Sequence, residues 1–318
     1  MTTDKIPVID ISPLASGDET ALQQVADELC SAASTVGFFY IENHSIPQAQ
    51  IDDVFALSRS FFGASNEQKR SVGISPFHRG WLELGAARMF GSNEADMKES
   101  FVWGLDIAED DSDYRAGGRL LAPNRWPEFV PGMRETLMAY FHATQACGQQ
   151  LLRAFAKGLD IAPDYFLQQV DKPVSRGSLI YYPPSSRATT AQVGAGAHTD
   201  YGTLTLLYQD DAGGLEIRGR SREWVRATPI KGAFVINVGD LLARWSNDRF
   251  ASTLHRVVHP PGQTRYSVAM FIDSNWDAVV APVTAADESA RYEPVRCGDY
   301  IADRYDEAFA YRNAERRH

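Results

Sequence analysis

The stretch GAGAHTDYGTLTLLYQ, Gly194 to Gln209, sets a histidine and an aspartate at the mouth of an apolar, β-branched run. Side chains of a strand alternate between its two faces, so His198 and Asp200 are expected to point the same way, roughly 6.6 Å apart along the chain. Two donors on one wall can grip one ion. With seven histidines in the chain an H-x-D pair also arises by chance, so the motif gains weight only if a third ligand and an anchor for a substrate accompany it.

Outward from this stretch the texture is that of short strands. After Lys172 the segments SLIYYP, AHTDY, LTLLYQ, GLEIRG, EWVRA, AFVINV, LHRVVH and RYSVAMFI follow at short intervals, separated by Gly, Pro, Asn and Asp clusters. Such spacing indicates a sandwich or barrel. Upstream, IPVIDI and FFYIEN read as strands. ETALQQVADELCSAAS carries Leu22, Val25, Ala26 and Leu29 at helical spacing and ends at Gly37, while IPQAQIDDVFALSRSFFG turns Ile51, Val54, Phe55, Leu57, Ser58 and Phe61 to one side. A longer helical pattern runs from about Pro127 to Leu159, with a break expected near Gly148, and CGDYIADRYDEAFAYR is helical again. No repeat or linker divides the chain. One domain over 1–318 is expected, α+β in class with an all-β core: a mostly helical part to residue 172, the core over about 173–280 carrying the site, and a C-terminal helical segment over 281–318.

Bulk properties narrow the function. At 318 residues and 44% hydrophobic the chain can build an ample core. Its 31 Lys+Arg against 41 Asp+Glu give a net charge of -10, which argues against phosphate backbones and anionic membranes as partners. Cys30, Cys147 and Cys297 are far apart and show no C-x-x-C spacing, as expected of buried thiols in a reducing cytoplasm. The opening MTTDKIPVIDIS lacks the cationic and apolar regions of a secretory signal, and no apolar run reaches membrane-spanning length.

A third ligand candidate lies in STLHRVVHPPG, which offers His255 and His259. Two histidines and one carboxylate leave about three open positions on an octahedral ion, the facial arrangement suited to Fe(II) and oxygen, whereas zinc favours a closed tetrahedral set. Arg265 and Ser267 in RYSVAMF share a strand face, and a guanidinium fork beside a hydroxyl is a good clamp for a distant carboxylate. R-x-S also occurs at Arg176/Ser178 and Arg244/Ser246. What distinguishes Arg265 is its place, ten residues after His255 across a PPG turn that folds one strand beside the other.

Together H-T-D at 198–200, H-R-V at 255–257, R-Y-S at 265–267 and Y-Y-P-P at 181–184 resemble the isopenicillin-N-synthase-like branch of the Fe(II)/2-oxoglutarate-dependent oxygenases. The likeness extends to PVIDIS, GFFYIENHSIP and FVINVGDLLARWSN, and so to nearly the whole chain. The resemblance implies a double-stranded β-helix, or jelly roll, flanked by N-terminal and C-terminal helices. It implies His198, Asp200 and His255 as the catalytic metal ligands, favouring His255 over His259, and Arg265, Ser267 and Tyr182 as the 2-oxoglutarate site. Fe(II), 2-oxoglutarate and O2 are then the implied cofactors, with succinate and CO2 released as a small molecule is oxidised.

The prime substrate is expected to meet the loops over the barrel mouth. HRGWLELGAARMF and MKESFVWG supply His78, Arg79, Trp81, Glu83, Arg88 and Phe101, a mixture suited to an amino acid or peptide-like metabolite; the alternative for this region is a solvated loop with one packed tryptophan. His259 before two prolines suggests a hairpin role, His44 a structural one, and Asn237 and Asp240 turn or capping roles. Two rival functions remain on this fold: an oxidase that dispenses with 2-oxoglutarate, and a barrel that binds metal or metabolite without turnover. A nucleic-acid demethylase is disfavoured by the acidic balance. The expected protein is a cytoplasmic monomer or weak homodimer.

Overall fold

The short runs downstream of Lys172, set apart by Gly, Pro, Asn and Asp clusters, form strands as their spacing predicts. The computed structural model describes residues 5–86, 96–184, 192–259, 262–309 and 311–312. The strands that frame the site are β1 (Val8–Asp10), β2 (Phe38–Glu42), β3 (Gly80–Leu82), β4 (Glu99–Gly104), β5 (Arg176–Tyr182), β6 (Gln192–His198), β7 (Leu204–Gln209), β8 (Leu215–Arg218), β9 (Trp224–Arg226), β10 (Phe234–Val238), β11 (His255–His259) and β12 (Arg265–Ile272). They form a larger sheet, in the order β1-β2-β10-β7-β12-β5-β4-β3, and a smaller one, β6-β11-β8-β9. The two face each other across an apolar cluster that includes Tyr182, Ala195, Ile217, Val235 and Val257. This is the double-stranded β-helix.

Seven α-helices among the described residues complete the fold, of which the first, second and fifth pack on the larger sheet. They are α1 (Glu19–Thr35), α2 (Gln48–Phe62), α3 (Asn66–Ser71), α4 (Ser112–Arg115), α5 (Met133–Gly158), α6 (Asp240–Trp245) and α7 (Cys297–Ala308). The Asp18 side chain caps α1 by accepting from the Thr20 amide. α1 and α2 both pack on α5, and α2 and α5 contact β12. Gly37, at φ +72° beyond the end of α1, has its Cα so close to the Ala251 carbonyl that a Cβ would lie 2.2 Å from that oxygen.

Two expectations need correction. α5 runs unbroken through Gly148, because glycine there serves packing: a Cβ would sit 2.9 Å from both Ile272 γ-carbons, so its absence lets the helix lie close on β12. The part before residue 172 is also less purely helical than its periodicity suggests. It contributes β1 to β4, four of the larger sheet's eight strands, so residue 172 marks no boundary in the fold. GWL and ESFVWG escape a reading by alternation because one is three residues long and the other is buried on both faces, with Glu99 and Ser100 as its polar residues.

The pairing of β4, β5 and β12 sets rows of side chains across the cavity wall: Ser100, Ile180 and Ser267, then Val102, Ser178 and Ala269, then Gly104, Arg176 and Phe271. Tyr182 opposite Arg265 closes one end of this wall. Arg176 stands at the other.

Candidate active site

His198 is the last residue of β6 and His255 the first of β11, and the two are direct partners in the smaller sheet. Asp200 lies beyond the end of its strand, in the bend before β7. Strand parity therefore does not bring it beside His198; the bend does. His198 Nε2 and His255 Nε2 each stand 3.8 Å from Asp200 Oδ1, and the three ligand atoms lie within 4.8 Å of one another.

The back of each ligand is engaged. His198 Nδ1 donates to the Gly196 carbonyl at 2.7 Å and His255 Nδ1 to the Thr253 carbonyl at 3.2 Å. A carbonyl only accepts, so the proton sits on Nδ1 and the Nε2 lone pair faces inward. Asp200 Oδ2 accepts from Thr205 Oγ1 at 2.5 Å and Asn237 Nδ2 at 2.8 Å, which leaves Oδ1 free. Burial, with His255 close by, pushes the His198 imidazole down to about 4, so it is neutral at physiological pH. Burial opposes charge on Asp200, yet the two imidazoles and the two hydrogen bonds outweigh it and hold the carboxyl below its usual range. Two imidazole lone pairs, one carboxylate oxygen and an open half suit Fe(II), and the outer hydrogen bonds are those that orient such ligands. Asn237, expected in a turn, is thus a strand residue that steadies the carboxylate.

Across the cavity Arg265 is fully buried. Its Nε donates to the Gly213 carbonyl at 2.5 Å, and its terminal nitrogens to Ser267 Oγ at 2.9 Å and Gln209 Oε1 at 3.3 Å. The guanidinium lies 4.7 Å from the Tyr182 ring centre. Among the described residues no carboxylate forms an ion pair with it, and a buried guanidinium without counter-charge is costly unless an anionic ligand completes it. His259 is also buried, but its Nε2 donates to the Gln263 carbonyl at 2.5 Å and fastens the hairpin. It is not part of the ligand cluster.

One cavity joins the histidine–aspartate cluster to Arg265 and continues to Arg176. Arg176 was visible in the sequence only as a second R-x-S. Its guanidinium stacks on Phe271 at 3.9 Å and Tyr305 at 4.5 Å, and no acceptor among the described residues hydrogen-bonds it. Burial lowers it to about 10, leaving it charged at neutral pH. Lys98, Tyr201 and Phe309 also line the cavity and were not anticipated. Tyr305 and Phe309 come from α7 and its end, too far along the chain to be linked by spacing.

The residues expected to approach a substrate are mostly turned elsewhere. Strand parity decides it: Leu82, Ser100 and Val102 face the cavity, so Trp81 and Phe101 face away. Phe101 packs on Phe61 at 4.8 Å, and Trp81 Nε1 donates to Glu99 Oε2 at 2.8 Å. Arg79 is buried against Gly104, donating to the carbonyls of His78 at 3.1 Å and Leu120 at 2.7 Å. Glu83 is exposed and pairs with Arg70 at 3.1 Å. Arg88 lies outside the described residues. Of that segment His78 does border the cavity, and it hydrogen-bonds Tyr311.

Fold and site together define a non-haem iron oxygenase. Residues 177–274 match the model of the 2OG-Fe(II) oxygenase superfamily, and residues 6–129 match that of the non-haem dioxygenase in morphine synthesis N-terminal region. The chain is 31% identical to the 2-oxoglutarate-Fe(II) type oxidoreductase hxnY of Emericella nidulans, over 95% of this chain and 90% of the relative. It is 35% identical to a homoarginine-6-hydroxylase of Oryza sativa subsp. japonica, over 94% of this chain and 96% of the relative. The crystal structure of a full-length Neurospora crassa protein in complex with alpha-KG and thymine superposes with a TM-score of 0.83 at 34% identity, covering 95% of this chain and 96% of that one. The chain belongs to the 2OG-Fe(II) oxygenase superfamily. It is an Fe(II)- and 2-oxoglutarate-dependent oxygenase of small molecules.

Proposed function

We propose that His198, Asp200 and His255 hold the iron, that Arg265, Ser267 and Tyr182 hold 2-oxoglutarate, and that the enzyme hydroxylates a small carboxylate-bearing metabolite of the amino-acid type, anchored at Arg176. The observation that carries this reading is the convergence on one cavity of three inward ligand atoms and a buried guanidinium that forms no ion pair among the described residues.

When bound, iron and 2-oxoglutarate supply the activation of O2, with release of succinate and CO2. The chain's own residues do the positioning. Ser267 and Gln209 fix the plane of Arg265, so its remaining N–H groups present a fork to a carboxylate at little reorganisation cost. Thr205 and Asn237 keep Asp200 Oδ1 directed inward. Leu207, Val257 and Ala269 line the cavity between these groups and limit water there. At the far end Phe271 and Tyr305 hold the Arg176 guanidinium flat, with its donor edge free for an anion.

A net charge of -10 supports a free metabolite over nucleic acid as substrate. Among the described residues no helix is long and apolar enough to cross a membrane, and the large exposed apolar side chains Val8, Leu84, Leu254 and Val279 are scattered, which suits a monomer or weak homodimer. The three thiols are unpaired, in keeping with a reducing cytoplasm. The test is a panel of amino acids and related carboxylates with Fe(II), 2-oxoglutarate and O2. A member that stimulates succinate release and gains one oxygen by mass is expected; stimulation only by compounds without an anionic group would refute the Arg176 anchor.

A further inference from the structure

We propose that Lys98 is a second cation of the cosubstrate site, flanking bound 2-oxoglutarate between the Arg265 anchor and the His198–Asp200–His255 cluster. This deepens the reading above and rests on it. Lys98 immediately precedes β4, where Glu99 pairs with Tyr181; continuing that register sets Lys98 beside Tyr182, which pairs in turn with Arg265. Lys98 and the two other members of that row all line the cavity.

The ammonium is held from behind. Lys98 Nζ lies 3.0 Å from Asp96 Oδ2, and the two side chains are 12% and 1% exposed. Asp96 Oδ1 accepts the Gly196 amide at 3.1 Å, and the Gly196 carbonyl is the group that receives His198 Nδ1 at 2.7 Å. One backbone residue therefore ties the ion pair to the ligand cluster. Lys98 acts electrostatically on Tyr182, Asp200 and His198, which locates its charge between the two ends of the site.

A plain structural staple explains this poorly. A buried ion pair often adds no stability over an apolar pair of the same volume, so its place in a cavity wall calls for another reason. An ammonium has three N–H groups; Asp96 faces it from one side, and no other acceptor among the described residues meets it. A dicarboxylate brings two negative charges; Arg265 would answer one, and the iron, already partly neutralised by Asp200, would answer the other only in part. Lys98 offers its free donors where the remainder of that dianion must pass.

The experiment is calorimetric titration of Mn(II)-loaded protein with 2-oxoglutarate. Lys98→Met alone strands the Asp96 carboxylate, so the informative variant is the double Asp96→Asn/Lys98→Met, with Asp96→Asn as its control. The double variant is expected to bind 2-oxoglutarate at least about 10-fold more weakly than both wild type and the Asp96→Asn variant, while its Mn(II) binding without cosubstrate matches that of Asp96→Asn within about 2-fold. A double variant that binds 2-oxoglutarate as wild type does would overturn the assignment and reduce Lys98 to a seam between the sheets. Wild-type protein that binds no 2-oxoglutarate would overturn it together with the cosubstrate reading.

Discussion

Arg265 and Arg176 each begin an Arg-x-Ser on adjacent antiparallel strands, and each faces the same cavity, yet their surroundings differ in kind. Arg265 is bound by a carbonyl, a serine and a glutamine before any ligand arrives. Among the described residues Arg176 stacks on two aromatic faces and meets no hydrogen-bond acceptor, with the buried Asp273 carboxylate acting on it only electrostatically. A guanidinium with its orientation already fixed is built for one invariant partner, whereas one held flat but unbonded can accept anions carried on different bodies. The lesson is that a motif reports a residue's direction, and its hydrogen-bond partners report its task. The His198–Asp200–His255 cluster borders the same cavity.

The sharpest break would come at that shared centre. Replacing His198 with Ala leaves two ligands, and succinate production is expected to fall to background with any substrate, checked by a 2-oxoglutarate turnover assay with Fe(II) in excess. At the metabolite end, Arg176→Gln is expected to raise the substrate KM about 30-fold, or about 2 kcal/mol, while uncoupled 2-oxoglutarate consumption stays within about 2-fold. If both parameters moved together, the division between the two arginines would be lost.

Acid should reveal the central cluster without mutation. His198 has a folded value of about 4, below its ordinary 6.5, so across that window the unfolded chain takes up a proton that the folded site refuses. Metal-free protein is therefore expected to lose stability as pH falls from about 6.5 to about 4, measured by denaturant midpoint. His198→Ala should lessen that dependence without abolishing it, because burial also holds the His78 imidazole well below its ordinary range. The smallest effect belongs to the helix side of the wall. Phe101→Leu is expected to lower stability by about 1 to 2 kcal/mol and leave both KM values unchanged.

Phe101 also shows where sequence reading ended. The barrel is legible because short strand-like runs after Lys172 are separated by Gly, Pro, Asn and Asp clusters, and the convergence of His198, Asp200 and His255 because H-x-D and a distal histidine fall in a fixed order. Even there Asp200 reached its position through a bend that periodicity does not describe. The cavity lining is not legible in the sequence, since β4 is buried on both faces and gives no parity to read: Ser100 and Val102 face the site while Phe101 faces the helices. Arg176 carried the right signal and was set aside because its neighbours Phe271 and Tyr305 lie 95 and 129 residues further on (271 - 176 and 305 - 176), brought near only by pairing with β12 and docking of α7. Side-chain direction across a buried sheet is a property of register, and register is settled by the partner strand.

The division of labour between the two arginines is tested in a single titration series by the affinity of Mn(II)-loaded protein for 2-oxoglutarate. Arg265→Gln is expected to weaken that affinity about 100-fold and Arg176→Gln less than about 2-fold. Equal losses in both variants, or an Arg265→Gln protein that binds 2-oxoglutarate like wild type, would contradict it.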